Sequence, residues 1–126
     1  MTTGDDVAMV RALERGEVSN GGFHHADHLR VAWVYLDECG SADAALARMA
    51  ATLRRFAAAA GTPEKYSDAV TAFWIYQLAS ARALMPGAGV EAVFRACPRL
   101  LDKNLLLAYY SADVASPRSA HPSRDA

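Results

Sequence analysis

The chain of 126 residues has few cysteines, few lysines and no long apolar run, and each shortage excludes a class of protein. Cys39 and Cys97 are far apart and form no CxxC pair, so neither a thiol redox motif nor a Cys/His zinc motif is present. No uncharged apolar run approaches the roughly 18 residues of a membrane span, and Asp5 and Asp6 stand where a signal peptide needs positive charge. We therefore expect a cytoplasmic protein with reduced cysteines and no membrane partner.

The chain also has no marked excess of basic over acidic residues or the reverse. With 13 basic and 14 acidic residues interspersed, the formal net charge is -1, so no basic face is available for nucleic acid or anionic lipid. Only two basic residues are lysines, Lys65 and Lys103, and the abundance of arginine and alanine is typical of a GC-rich bacterial genome. A hydrophobic fraction of 52% fits one globular domain that needs no disulfides.

Apolar residues recur at spacings of three and four along most of the chain, which predicts an all-α fold. No strand-length run alternates with period two, and no Gly-rich phosphate loop is present. Helix start and stop signals place helices at about 5–15, 25–38, 41–60, 63–84 and 90–96, with a last segment at 103–110. Asp5 or Asp6 is expected to cap the first, Cys39-Gly40 to end the second, and Ser41 or Asp43 to cap the third. We predict a single domain over residues 1–110, an irregular bundle of about five to six helices, followed by an extended or disordered tail over 111–126.

Three of the four histidines lie at the start of the second predicted helix, behind a flexible glycine-containing loop. His24 and His28 are four residues apart and His25 and His28 three apart, so two imidazoles can point the same way. The positive end of the helix dipole disfavours an imidazolium. Neutral imidazole is the form that binds a metal or accepts a proton, which makes this cluster the candidate site.

Three interpretations of the cluster stay open. A metal held by His25 and His28 would need further ligands, which Asp27, Asp68 or Glu64 could supply. A metal-free acid/base site needs only one histidine near a substrate proton, with Asp27 or Asp68 orienting it. In the structural interpretation one imidazole makes capping bonds, another is exposed, and the third packs near Trp33.

A second polar cluster lies at the start of the fourth predicted helix, before an apolar run that marks this helix as the centre of the packing. Tyr66 and Thr71 could donate hydrogen bonds to a substrate. A structural role is the alternative, with Ser67 and Asp68 in the first turn and Thr71 bonding back to the helix. Trp33 and Trp74 are expected in the core, where one could line a small-molecule cavity.

The chain resembles, from residue 23 to residue 111, a group of small, largely uncharacterised bacterial helical proteins. The residues that carry the resemblance are Phe23-x-His25-x-Asp27-His28-Leu29-x-x-Ala32-Trp33, Lys65-Tyr66, Thr71-x-Phe73-Trp74 and Leu100-Leu101-Asp102-Lys103. In that group the second segment usually reads Lys-Tyr-His-Glu, which implies a metal or acid/base constellation with the first-segment histidines. Here Ser67 and Asp68 occupy those positions, so one imidazole of the implied set is missing and the metal is disfavoured, unless His24 compensates.

We therefore predict a small bacterial enzyme of specialised metabolism that uses a histidine pair for acid/base or metal-assisted elimination, isomerisation or cyclisation of a small organic substrate. The alternative is a non-catalytic small-molecule-binding or accessory protein for a partner enzyme. The cofactor is none or a single divalent metal at His25 and His28, and the alanine-rich helical surface is compatible with a homodimer. The predicted site residues are His25, His28 and Asp68 for catalysis and His24, Trp33, Tyr66, Thr71 and Trp74 for substrate binding. This site requires the His25 and Asp68 side chains to converge on one cavity.

Overall fold

The computed structural model describes residues 3–108, and within that range the chain forms five α-helices, four short 3-10 helices and no strand. The α-helices are α1 (Gly4–Glu14), α2 (His25–Cys39), α3 (Ala42–Ala59), α4 (Asp68–Leu84) and α5 (Val90–Ala96). The 3-10 helices are Asn20–Gly22, Pro63–Lys65, Pro98–Leu101 and Lys103–Ala108. The predicted all-α bundle in a single domain is confirmed, whereas the predicted tail over 111–126 lies outside the described residues.

The start of α1 differs from its prediction. The N-cap is Thr3, whose hydroxyl accepts a hydrogen bond from the backbone N–H of Asp6 at 3.1 Å, so the predicted cap at Asp5 or Asp6 was wrong. Asp6 lies in the first turn, where its side chain is buried and 3.6 Å from the Arg30 guanidinium. This carboxylate therefore ties the beginning of α1 to α2.

The start of α4 also differs, because the predicted helix from residue 63 divides into two. Pro63–Lys65 forms a separate 3-10 turn, and the chain is extended at Tyr66. Ser67 then caps a new helix, its hydroxyl accepting from the backbone N–H of Val70 at 3.3 Å. Proline correctly marks a helical start, but the serine offers a second cap four residues later, and the longer helix begins there.

The centre of the packing is α2, which contacts α1, α3 and α4. Its residues 31–36 are all buried, including Trp33 and Tyr35. The prediction that α4 occupies the centre was wrong, because α4 has an exposed side: Tyr76 is 43% exposed and donates a hydrogen bond to Asp43. Other large side chains of the core are Val10, Leu29, Met49, Ile75, Leu78, Val90 and Val93.

A polar network joins α1, α2 and α3 on the side of α2 that carries Tyr35. The Tyr35 hydroxyl donates to Glu14 at 2.5 Å and lies 2.9 Å from the Thr52 hydroxyl. Arg11 and Arg48 donate to the same glutamate at 2.8 and 3.2 Å. Burial alone would raise the pKa of Glu14, but the hydrogen bonds from Tyr35 and Arg11 lower it. Burial and the bond to Glu14 raise the pKa of Tyr35 to about 12, so both groups keep their neutral-pH charge.

Two further expectations concern the membrane and the cysteines. No helix within residues 3–108 has the length and apolar character needed to cross a lipid bilayer. Cys39 and Cys97 are free thiols, and both are half-buried at the ends of α2 and α5.

Candidate functional site

A cavity of about 520 Å³ lies where α2, α3 and α4 meet the 3-10 helices that follow α3 and α5. Its volume is within the range of small-molecule sites in proteins. Buried side chains of Met49, Leu53, Trp74 and Leu106 form an apolar floor. The complete lining is His25, His28, Met49, Leu53, Phe56, Ala57, Thr62, Lys65, Tyr66, Ser67, Val70, Thr71, Trp74, Lys103, Asn104 and Leu106.

His25 is the first residue of α2 and is held in place from two sides. Its Nε2 lies 2.9 Å from the backbone carbonyl oxygen of Leu100, and its ring meets the Trp74 ring edge-on with centroids 4.5 Å apart. Because a carbonyl oxygen can only accept, Nε2 carries the proton. In the neutral ring Nδ1 therefore has the free lone pair, and the imidazole is oriented by the backbone of the Pro98–Leu101 turn.

His28 lies on the same side of α2, three residues after His25, and its ring packs against Phe23 with centroids 4.3 Å apart. Burial lowers the pKa of His28 to about 4, and the neighbouring His25 acts in the same direction while Asp27 opposes it. The His28 imidazole is therefore uncharged at neutral pH. The uncharged state agrees with the sequence argument, but its main cause is burial and not the helix dipole.

His24 does not belong to the cavity. It is the N-cap of α2, its backbone is extended, and its side chain is exposed. Its backbone N–H donates to the Asp27 carboxylate at 3.0 Å, so Asp27 serves the helix start and is absent from the cavity lining. The histidine pair that reaches the cavity is therefore His25 with His28, and His24, predicted to bind a substrate, is not part of its lining.

Polar side chains at the start of α4 do line the cavity, but their hydroxyl groups are already hydrogen-bonded to nearby backbone atoms. The Thr71 hydroxyl donates to the backbone carbonyl of Ser67 at 2.9 Å, and the Ser67 hydroxyl caps α4. This confirms the structural interpretation of Thr71, whereas Ser67, expected in the first turn, is the N-cap that precedes it. The Thr71 oxygen can still accept a hydrogen bond from a ligand, but its predicted role as a donor is not available.

Asp68 lies outside the cavity, contrary to the prediction that it converges there with His25. Its side chain is 69% exposed and accepts hydrogen bonds from Arg54 at 2.7 Å and from the Tyr66 hydroxyl at 2.8 Å. Tyr66 does line the cavity, and burial together with the bond to Asp68 raises its pKa to about 12. Asp68 therefore reaches the cavity only through the Tyr66 phenol, which stays protonated.

The two tryptophans have different positions. Trp74 lines the cavity between the His25 and Phe73 rings. Trp33 is fully buried beneath the Arg82 guanidinium, which lies 5.4 Å from its ring centroid, and it does not line the cavity. Trp33 comes five residues after His28 and is therefore turned by about 140° around the helix axis. Trp33, predicted to bind a substrate, therefore faces away from the side of α2 that carries His28.

Sequence reasoning missed several lining residues. Lys65 and Lys103 come from two different 3-10 helices and lie at the cavity, beside Asn104. Two signals were present, since they are the only lysines in an arginine-rich chain and both stand in segments that carry the family resemblance. Apolar residues of α3, such as Leu53 and Phe56, had helical spacing only and carried no sign of a cavity.

The cavity has few ligands for a metal ion. Within residues 3–108 no group of three or more histidine, cysteine, aspartate or glutamate side chains could hold one. Of these residue types in the described part of the chain, only His25 and His28 line the cavity. The carboxylates of Asp27 and Asp68, predicted as further ligands, are bonded to His24 and Arg54 instead. The described residues thus offer two imidazoles where a zinc site usually needs at least three protein ligands.

Comparisons of the chain with protein-family models, curated proteins and solved structures find no match. The resemblance to small bacterial helical proteins, the homodimer and the cytoplasmic location therefore stay predictions. The function of the cavity has to be inferred from the chemistry of its own residues.

Proposed function

We propose that the protein is a small enzyme that binds a small organic molecule in this cavity and moves a proton on it, with His28 as the proton acceptor. The observation that carries the proposal is that two imidazoles, an uncharged His28 and a firmly oriented His25, converge on one largely apolar cavity. No aspartate or glutamate of the described residues lines the cavity, so imidazole is its natural general base.

The proposed step is balanced without an oxidant or a reductant. A C–H or O–H proton of the ligand passes to the imidazole of His28, and the electron pair stays on the ligand. Return of the proton at another atom completes an isomerisation, and departure of a leaving group with its electron pair completes an elimination. In a cyclisation the freed electron pair forms the ring bond to a double bond of the same ligand, and the π pair that this displaces takes the proton back from His28. The Tyr66 phenol, which remains protonated, and the Nδ1 lone pair of His25 would position the polar atoms of the ligand.

Deuterium exchange tests the proposal without knowledge of the natural substrate. The protein is incubated in D₂O with a panel of small carbonyl compounds that have acidic C–H bonds, and loss of the C–H signal is followed by proton NMR. We expect the wild type to accelerate exchange in at least one compound. His28→Gln should lower that rate by about 100-fold to 10,000-fold, the usual contribution of a positioned base.

His24→Gln is the matched control, because it removes an imidazole of the same cluster that is exposed and outside the cavity. Its exchange rate should equal that of the wild type. Equal exchange by the wild type and a folded His28→Gln protein would contradict the role of His28. Circular dichroism of both variants shows whether the helices are intact.

A second candidate is a non-catalytic small-molecule-binding protein. It is favoured because the hydrogen-bond donors of the cavity already have acceptors within the protein. His25 donates to Leu100, Tyr66 to Asp68 and Thr71 to Ser67. Saturable binding of a panel compound with no exchange in any compound would support this candidate over the enzyme.

A further inference from the structure

Both lysines of the chain lie at the cavity. Lys65 ends the Pro63–Lys65 turn and Lys103 begins the Lys103–Ala108 turn, 38 residues later in the chain. Both lysines are exposed, whereas Met49, Leu53 and Trp74 are buried, so the lysines belong to the solvent-exposed edge of the cavity lining. The fold has therefore brought two cations from distant segments to the edge of one apolar cavity.

The positive charge at this edge is not neutralised by the described part of the chain. Neither lysine is within ion-pair distance of a carboxylate there. Glu64 and Asp102 precede the lysines in sequence, but neither lines the cavity. The nearby carboxylate of Asp68 is already paired with Arg54 at 2.7 Å, and His28 is uncharged at neutral pH. Counting residues 3–108 alone, the edge of the cavity thus carries positive charge, and its interior is largely apolar.

We propose that the cavity takes a small organic carboxylate with an apolar or aromatic body, its anionic group at Lys65 and Lys103 and its body against Trp74. This names the substrate class of the proposed function and rests on the cavity being the ligand site. A lysine ammonium is a compact point charge that attracts a carboxylate, and the attraction is stronger beside an apolar wall than in bulk water. Trp74, Phe56 and Leu53 provide the apolar surface for the body of the ligand.

The anion also bears on the chemistry of His28. A base whose pKa is about 4 accepts protons weakly at neutral pH. A bound carboxylate places negative charge in the same cavity, and negative charge favours the imidazolium form. A carboxylate ligand would therefore strengthen the base that acts on it, whereas an uncharged ligand would not.

The test uses 3-phenylpropanoate and its uncharged counterpart 3-phenylpropanamide as probes, with binding followed by NMR of the two tryptophan indole N–H signals. Trp74 lines the cavity and Trp33 does not, so saturable shifts at Trp74 alone locate the probe. At low salt we expect the carboxylate to bind about tenfold more tightly than the amide, as two partly solvated ion pairs allow. The difference should shrink in high salt, because exposed charges are screened.

Charge variants decide whether the lysines cause this preference. Lys65→Gln and Lys103→Gln should each lower carboxylate affinity by about threefold, and the double variant should bind acid and amide equally. Arg55→Gln is the matched control, since Arg55 is an exposed cation of α3 that does not line the cavity. Inorganic phosphate should not displace the probe at equal concentration, because it cannot use the apolar wall.

Several results would overturn the proposal. These are equal binding of acid and amide by the wild type, an unchanged preference in the double lysine variant, and failure of the carboxylate shifts to saturate at about 10 mM. The proposed catalysis fails separately. Lysine-dependent carboxylate binding without His28-dependent deuterium exchange would refute the enzyme but not the anion site. Exchange in uncharged compounds alone would refute the anion site but not the enzyme.

Discussion

Lowering the pH from about 7 to about 5 should destabilise the protein through one imidazole, that of the half-buried His28. Burial holds its pKa at about 4 in the folded state, whereas an unfolded chain restores the ordinary value of about 6.5. As the pH falls below about 6.5, the unfolded state binds a proton that the folded state does not bind. Stability that is present above this pH is therefore lost progressively, and the loss is complete only below about pH 4.

The size of the effect follows from the same two values. Each unit between the folded and unfolded pKa corresponds to about 1.4 kcal/mol, so the full loss is about 3 kcal/mol. At pH 5 most unfolded molecules carry the proton and few folded ones do, so about 2 kcal/mol should already be lost relative to pH 7. For a domain of this size that is a substantial part of the total free energy of unfolding.

Urea unfolding of the wild type and of His28→Gln at several pH values measures this loss. Carboxylates with lowered pKa values, such as Glu14 and Asp68, also destabilise the protein in acid, but they act in both proteins and cancel in the comparison. The wild type should lose about 2 kcal/mol more than the variant between pH 7 and pH 5. His24→Gln should behave like the wild type.

Parallel curves for the wild type and His28→Gln would refute this reasoning. An independent check is the NMR titration of the His28 ring proton, which should have its midpoint near the folded value of about 4. A midpoint near 6.5 would show that the imidazole is well solvated. The cavity would then lack the water-excluding surroundings on which the uncharged state of the proposed base depends.

Two further predictions concern the fold around the site. Tyr35→Phe should lower the free energy of unfolding by about 1 to 3 kcal/mol in urea, because Glu14 and Thr52 lose a buried hydrogen-bond partner. Ser67→Ala should cost about 1 kcal/mol in the same assay, because the backbone N–H of Val70 loses its cap at the start of α4.

Each of these variants has a matched control. Tyr76→Phe removes the hydroxyl of an exposed tyrosine and should cost much less than Tyr35→Phe. Ser80→Ala removes an exposed serine from the interior of α4 and should leave stability unchanged or raise it slightly, because alanine is the better helix former. A loss in Ser80→Ala as large as in Ser67→Ala would contradict the capping role.

The helices could be predicted closely because their ends depend on local chemistry. The predicted helix over 90–96 coincides with α5, and the end of α2 was expected at Gly40, where the backbone adopts a φ of 78° that glycine tolerates. Ser41 was one of two expected caps of α3 and is the one used. The split before α4 was missed because two valid start signals stand four residues apart, and sequence spacing does not rank them.

The site could be predicted in part. The spacing of His25 and His28 places them on one face of a helix, and both reach the cavity together with Tyr66, Thr71 and Trp74. Asp68, His24 and Trp33 do not reach it. Which way a side chain faces at a helix start depends on the cap and on neighbours from other helices, and the guanidinium of Arg54 that draws Asp68 outward lies 14 residues away in the chain.

The sequence by itself determined the all-α fold, most helix boundaries and the histidine pair, because periodicity, caps and three-residue spacing act within one or two helical turns. Only the tertiary structure decided that His28 is desolvated enough to stay uncharged, that His25 is oriented by Leu100, and that Lys65 and Lys103 line the same cavity. Burial and charge proximity depend on segments far apart in the chain. No local pattern in Lys65 or Lys103 reports that the fold places them at the same cavity.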